Sequence, residues 1–325
     1  MKCTVPNLRI AAIAAAVPEN EFDLNSLGSV FGEKEVQRIM HSTGISKIKK
    51  APPLMRCSDF AFAAAEQVLK ELKLAASDCD ALIFVSQTPD QMLPATSTTL
   101  AYRLGMSKST ITLDVNQGCA GYIYGLYLAS TLISSGGCQK VMVCAGDVMT
   151  PHLDPNDHQV RLVFGDGASA TLVEAGTDTF SFSLGSDGSG AEYLHKYGEY
   201  LYMDGKKVME FALREVSPVI DDVIALQAWN KEEVELYALH QANQFMVRYL
   251  QKQMRLPVEK VPVSVEGIGN TGPASIPVLL TREYSGSVPK KSILCGFGVG
   301  LAWGAVALNL QSTKILPLIL LEGGS

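Results

Sequence analysis

The stretch Asp114-Val-Asn-Gln-Gly-Cys-Ala-Gly121 carries the residue best placed for covalent chemistry. An apolar β run stops at a tight turn, Cys119 stands at that turn, and a helical segment follows at once. The unpaired N–H groups and partial positive charge of a helix N-terminus favour thiolate over thiol. Gly118, Ala120 and Gly121 are small enough for a ligand backbone to approach the sulfur, as an activated nucleophile requires. The competing reading of any free cysteine is a small buried hydrophobe, and it is the one adopted for Cys3, Cys57, Cys79, Cys138, Cys144 and Cys295. Two further polar residues end elements in comparable places. His240 closes an apolar strand in Leu239-His-Gln-Ala-Asn243, and Asn270 lies in Gly267-Ile-Gly-Asn-Thr-Gly272 ahead of a helix. His41, His152, His158 and His195 sit in polar, loop-like contexts and read as solvated surface. No His, Cys or carboxylate pair has metal-ligand spacing. The runs Phe164-Gly-Asp-Gly and Gly296-Phe-Gly-Val-Gly300 lack the strand-to-helix setting of a dinucleotide loop, and there is no Walker lysine. Neither a metal nor a cofactor is expected.

The elements that must position these residues alternate apolar β runs with amphipathic stretches, the pattern of an α/β protein with buried sheets. A first strand over Ile10–Val17 closes at the turn Pro18-Glu19-Asn20. Further strands are expected at 80–86, 111–115, 140–145, 235–240, 261–265, 292–295 and 304–309, with helices over 59–72, 120–134, 208–228 and 243–254. The series of strands and turns recurs at similar spacing in two halves, which points to a duplicated α/β unit. The halves divide as 1–175 and 176–325, with the break in the Gly/Ser/Thr/Asp-rich stretch Glu174–Asp187. In a doubled sheet the strand ends of both halves converge near the pseudo-twofold axis, where Cys119, His240 and Asn270 would meet. The terminal run Ile315–Leu321 is too short and too interrupted by Pro317 to span a bilayer, and reads as a tail packing on a partner.

Composition narrows the function classes. The 325 residues include 47% hydrophobic and 18% charged, enough to bury a large core. The net charge of −6, from 27 Lys plus Arg against 33 Asp plus Glu, offers no global attraction to nucleic acid. Seven cysteines without CxxC spacing fit a reducing cytoplasm rather than a disulfide framework. No segment reaches the length of a membrane helix.

Taken in order, Gly118-Cys-Ala-Gly121, Phe164-Gly-Asp-Gly-Ala168, His240-Gln-Ala-Asn243, Gly269-Asn-Thr271 with Ala274-Ser-Ile-Pro277, and Gly296-Phe-Gly-Val-Gly-Leu-Ala-Trp-Gly304 resemble β-ketoacyl-acyl-carrier-protein synthase III. The likeness runs from about Thr43 to Trp303, nearly the whole chain. It implies the thiolase-like fold, five-layered αβαβα from two pseudo-twofold-related halves, and a homodimer. It also implies a decarboxylative Claisen condensation in which Cys119 takes an acyl primer from a coenzyme A or carrier-protein thioester. Malonyl-acyl-carrier-protein then loses CO2 and its enolate attacks the acyl-enzyme. By the same resemblance His240 and Asn270 stabilise the enolate, and the backbone N–H groups of Cys119 and Val299 hold the acyl oxyanion. Neutral N–H donors in a dry pocket suit this task, because decarboxylation places negative charge on the thioester oxygen.

Departures from the family pattern fall on the ligand's outer part. Arg38 and His158 stand where the family's coenzyme A binders often place a tryptophan and an arginine, and Ser42 replaces an arginine. Arg38, His158 and Asn243 are the expected thioester-ligand contacts. Carrier-protein docking falls to Arg248 and Lys252, with Phe245 and Glu210 where basic residues are common. Leu93 occupies the place of a residue that crosses the dimer to cap the partner's acyl pocket, which accommodates a primer longer than acetyl. Two alternatives compete: an acyltransferase of this fold delivering the acyl group to a hydroxyl or amine, and a non-catalytic subunit of a heterodimeric synthase.

Overall fold

The computed structural model describes residues 1–286 and 288–323. Nine main strands are β1 (Lys2–Pro18), β2 (Ala81–Val85), β3 (Ile111–Val115), β4 (Lys140–Asp147), β5 (Gly167–Ala175), β6 (Asp178–Ser186), β7 (Leu236–Leu239), β8 (Lys291–Gly298) and β9 (Ala302–Asn309). The main helices are α1 (Glu33–Thr43), α2 (Cys57–Leu72), α3 (Thr96–Leu104), α4 (Gly121–Ser134), α5 (Gly205–Leu226), α6 (Gln244–Gln253) and α7 (Ser275–Glu283).

Hydrogen bonding joins the strands in the order β7-β8-β9-β6-β1-β5-β4-β2-β3. The two arms of this path match step for step. β2 runs parallel to β4 as β7 does to β8, and β4 and β5 are antiparallel as are β8 and β9. β5 then pairs antiparallel with β1, as β9 does with β6. The 17-residue β1 links the arms, its first residues pairing with β6 and its later ones with β5.

Three apolar cores separate five layers. One lies between α2 and α3 and the outer face of the first arm, another between α5 and α6 and the outer face of the second. Between the arms, α4 and α7 pack against the inward residues of β2, β4, β7 and β8. Their sequences, Gly-Tyr-Ile-Tyr-Gly-Leu-Tyr-Leu-Ala and Ser-Ile-Pro-Val-Leu-Leu, lack a broad polar face and suit only such a central place. The alanines of β1 meet Ala61, Ala64 and Ala65 of α2, so small residues on both sides bring helix and sheet close together. These layers are the thiolase-like αβαβα arrangement.

Three expectations change. Residues 261–265 do not form a strand. Pro262 has no N–H for a ladder, and the Gln241 side chain takes over, donating to Pro262 O and accepting from Ser264 N at 2.9 Å. The stretch Glu174–Asp187, read as the break between the halves, carries β6 over most of its length with Phe180 and Phe182 fully buried. Polar Ser and Thr residues alternate with those phenylalanines and hid the strand. The tail packs on its own chain: Lys314–Ile315 and Ile319–Leu321 pair parallel with β1, and Ile315 and Leu316 are buried. Among the described residues no helix is long and apolar enough to cross a membrane.

Candidate active site

Two strand ends and one irregular segment, with their turns, build one cavity. β3 leads into Cys119 and α4, β7 ends just before His240, and the 261–269 segment leads through Asn270 into α7. Cys119, His240 and Asn270 line the same cavity, with Phe164, Leu194 and Phe297 among its apolar walls. A second, smaller cavity is lined by Cys119 together with Asp147, Met149, Leu201 and Val299. Cys119, Phe164 and Leu194 belong to both, so the sulfur stands where they join.

Close approach of the two halves requires glycine at Gly298. A Cβ there would lie 2.8 Å from the Cys119 sulfur, inside contact distance. The backbone N–H groups of Val299 and of Cys119 itself act to lower the pKa of that thiol. Burial nonetheless pushes the thiol up to about 12, and the nearby Asp147 carboxylate adds to the rise. Desolvation therefore works against the thiolate that the helix end favours, although Cys119 as a whole is only half-buried.

His240 is buried, with its ring edge-on to Phe297 at 5.6 Å. Desolvation lowers its pKa to about 3, so it is a neutral imidazole throughout the physiological range. Its Nδ1 lies 2.6 Å from Ser275 Oγ. Asn270 is held from both sides by the first half of the chain: its N–H donates to Val163 O at 2.8 Å and its carbonyl accepts from Gly165 N at 3.0 Å. Gly165 is required at this crossing, because a Cβ would lie 2.0 Å from Ile268 O. Asp166 anchors the same strap by accepting from Ala51 N and from the Thr150 N–H and hydroxyl. The Phe164-Gly-Asp-Gly motif thus ties Asn270 to the nucleophile's half. The Asn270 Oδ1 accepts from Gly272 N at 3.0 Å, which leaves the side-chain NH2 as the group for the cavity.

The remaining expected residues separate into three groups. Arg38, His158 and Asn243 line an open mouth that shares Val163, Met203, Gly205 and Asn243 with the inner cavity, so a path runs from the surface to the sulfur. Asn243 also caps α6, accepting from Met246 N. Arg38 is held by Glu35 through contacts of 2.9 and 2.6 Å, and His158 lies 3.7 Å from the same carboxylate. Arg248 and Lys252 line a separate groove with Phe245 and Tyr249, and Arg248 donates to Val261 O. Leu93 is far from the sulfur's surroundings in its own chain, 87% exposed and outside both cavities at Cys119. The histidines read as surface loops divide: His41 is exposed within α1, whereas His152, His158 and His195 are half-buried. His195 stacks on Tyr197 at 4.1 Å, a contact its flanking polar residues did not reveal.

Sequence reading passed over Asp147, Ser275 and the walls Leu194, Leu201 and Met203. Ser275 lies in the quoted Ala274-Ser-Ile-Pro277 motif and Asp147 just beyond the strand expected at 140–145, but their chemistry depends on neighbours distant in sequence. Leu194 and Met203 pair in an antiparallel ladder of two-residue strands, too short to carry a periodic signal.

The comparisons agree with this architecture. The model of the family 3-oxoacyl-[acyl-carrier-protein (ACP)] synthase III matches residues 113–188, and that of its C-terminal region matches 224–310. The chain is 34% identical over 273 residues to beta-ketoacyl-[acyl-carrier-protein] synthase III 1 of Halalkalibacterium halodurans, covering 82% of this chain and 87% of that one. A 3-oxoacyl-(acyl-carrier protein) synthase from Burkholderia xenovorans LB400 superposes with a TM-score of 0.95 at 31% identity over 99% of both chains. The priming beta-ketosynthase of the R1128 polyketide pathway does so at 0.86 and 27%, over 96% of this chain and 97% of that one. With family models over half its length and relatives above 30% identity over most of it, the chain belongs to the 3-oxoacyl-acyl-carrier-protein synthase III family.

Proposed function

We propose that the protein joins an acyl primer held on Cys119 to malonyl-acyl-carrier-protein by decarboxylative Claisen condensation, giving a β-ketoacyl thioester. The observation that carries this reading is the pairing, around one sulfur, of a neutral buried imidazole with an Asn amide whose NH2 is left free. In the first half-reaction the Cys119 sulfur attacks the primer thioester, and the donor thiol leaves with the proton. The Val299 and Cys119 N–H groups, which also favour the thiolate, stabilise the oxyanion formed on the way. In the second, the bond from the malonyl carbon to its carboxylate breaks and the electron pair moves onto the thioester oxygen. His240 and Asn270 donate hydrogen bonds to that oxygen. The enolate carbon then attacks the acyl carbonyl and Cys119 is released. The smaller cavity receives the acyl chain, and the open mouth at Arg38, His158 and Asn243 receives the pantetheine arm of a coenzyme A or carrier-protein thioester. Arg248 and Lys252 supply positive charge for the carrier protein.

A homodimer completes this reading, and 1–175 and 176–325 are its two repeated units. β3 is an unpaired edge with Ile111 and Leu113 exposed, and Met92, Leu93 and Tyr102 add apolar surface nearby. Gln87 ties this face to the acyl cavity by lining it while remaining exposed, which supports the reading of Leu93 as a cap on the acyl pocket of a second copy. The free state of all seven cysteines suits a cytoplasmic setting. An acyltransferase to a hydroxyl or amine would need a general base, and an imidazole held near 3 is a poor one.

The test is intact-protein mass after incubation with acyl-coenzyme A and acyl-carrier-protein thioesters, followed by malonyl-acyl-carrier-protein with CO2 detection. A Cys119-dependent adduct and stoichiometric CO2 are expected. An adduct discharged to hydroxyl or amine acceptors without CO2 would replace condensation by acyl transfer.

A further inference from the structure

His240 can stabilise an oxyanion only through a ring N–H, and a neutral imidazole has one, on either Nδ1 or Nε2. If the proton sits on Nδ1, the atom available to the cavity is a lone pair that repels the developing charge. Something must therefore choose the tautomer. Nδ1 has its partner in Ser275 Oγ at 2.6 Å, with both residues buried. The same oxygen is approached by the backbone N–H of Gln241 at 3.3 Å. An amide N–H only donates, so it occupies an acceptor site of the hydroxyl. The single hydroxyl proton of Ser275 then has one acceptor within reach among the described residues, which is Nδ1. In the opposite arrangement Nδ1–H would donate to Ser275 and leave the hydroxyl proton unpaired in a dry site.

We propose that Ser275 is a positioning residue that donates to Nδ1 and thereby locks His240 as the Nε2–H tautomer, turned toward the oxyanion. This inference rests on the condensation reading above. The burial that keeps His240 neutral supports it, because protonation does not supply a second N–H. One short turn then sets both donors. Gly272 N–H holds the Asn270 side-chain Oδ1 so that its NH2 faces the site, and Ser275, at the start of α7, holds His240. The turn puts two positive hydrogen-bonding ends at one oxygen without placing a net charge in the cavity. Ser275 touches neither reacting carbon and transfers no proton in this scheme.

The experiment follows two half-reactions and one spectrum. In Ser275→Ala, acylation of Cys119 by the primer thioester should stay within about twofold of wild type, whereas CO2 release from malonyl-acyl-carrier-protein should fall about tenfold or more, in kcat rather than KM. Ser275→Thr, which keeps the hydroxyl, should recover most of the loss. The 15N shifts of His240 in the wild-type protein should show Nε2 protonated and Nδ1 as a hydrogen-bonded acceptor, and Ser275→Ala should remove that acceptor signature. An Nδ1–H tautomer in the wild type overturns the proposal, as does equal loss of both half-reactions or undiminished CO2 release in Ser275→Ala. Should the alanine variant not fold, the wild-type spectrum decides alone. Wild-type protein that neither acylates nor releases CO2 would instead remove the condensation reading, whatever tautomer the spectrum shows.

Discussion

The turns at Gln117–Gly121 and Asn270–Ser275 hold equivalent places in the two halves, each leading into one of the paired central helices α4 and α7. The first turn presents an atom that must lose a proton, and the second presents groups that must keep theirs. Burial acts on both and in opposite senses for function. It pushes Cys119 up to about 12, which opposes the nucleophile, and lowers His240 to about 3, which keeps a neutral donor. The Val299 and Cys119 N–H groups counter the first effect in part, and the second needs no counter. A dry cavity is therefore a cost for acylation and a benefit for decarboxylation.

The sharpest way to break this comparison is to remove each side separately. Cys119→Ala should abolish the acyl adduct while leaving malonyl decarboxylation measurable, because the donors His240 and Asn270 are untouched. Asn270→Ala or His240→Ala should do the reverse, lowering CO2 release by about 10²–10³-fold with acylation retained. Loss of both half-reactions in every variant would show that the turns do not act independently. A smaller effect is expected at the seam. Gly298→Ala places a methyl group 2.8 Å from the sulfur and should slow acylation by about a hundredfold, with a lesser effect on CO2 release.

Titration sharpens the same contrast. A thiol held near 12 is almost wholly protonated at neutral pH, so the thiolate fraction rises about tenfold per pH unit below that value. Acylation should climb steadily between pH 6 and 9 without a midpoint near 7. Decarboxylation by Cys119→Ala should be flat over that range, since His240 protonates only near 3. A plateau in acylation around neutrality would mean that donor binding lowers the thiol's pKa. The mildest effect should come from the tail. Leu318 packs with Ile268, Ala274 and Val278 beneath the second turn, and Leu318→Ala should cost about 1–2 kcal/mol, lowering the thermal midpoint by a few degrees. Its kinetic effect should fall on CO2 release more than on acylation.

The strands ending near Val85, Val115, Asp147, Leu239 and Gly298 were legible because each is a short apolar run closed by polar or glycine residues, and α4 and α7 as the helical segments that follow the Cys119 and Asn270 turns. Cys119, His240 and Asn270 were legible as polar residues at strand ends or in glycine-rich turns before helices. Those signals are local. Where local and distant effects compete, the sequence was silent or misleading. The 261–265 run has β-branched residues, yet Pro262 and the Gln241 side chain keep it out of the ladder. Arg38 was read as a free thioester-ligand contact, whereas in the fold it also pairs with Glu35.

From its sequence alone this protein was committed to a doubled α/β architecture and to a cysteine, a histidine and an asparagine at its turns, because apolar periodicity and turn chemistry act over a few residues. Tertiary structure decided the ionisation of Cys119, the neutrality of His240 and the partner of its Nδ1. Each depends on how completely water is excluded and on which groups from distant segments fill its place, and neither is written in any single stretch of chain.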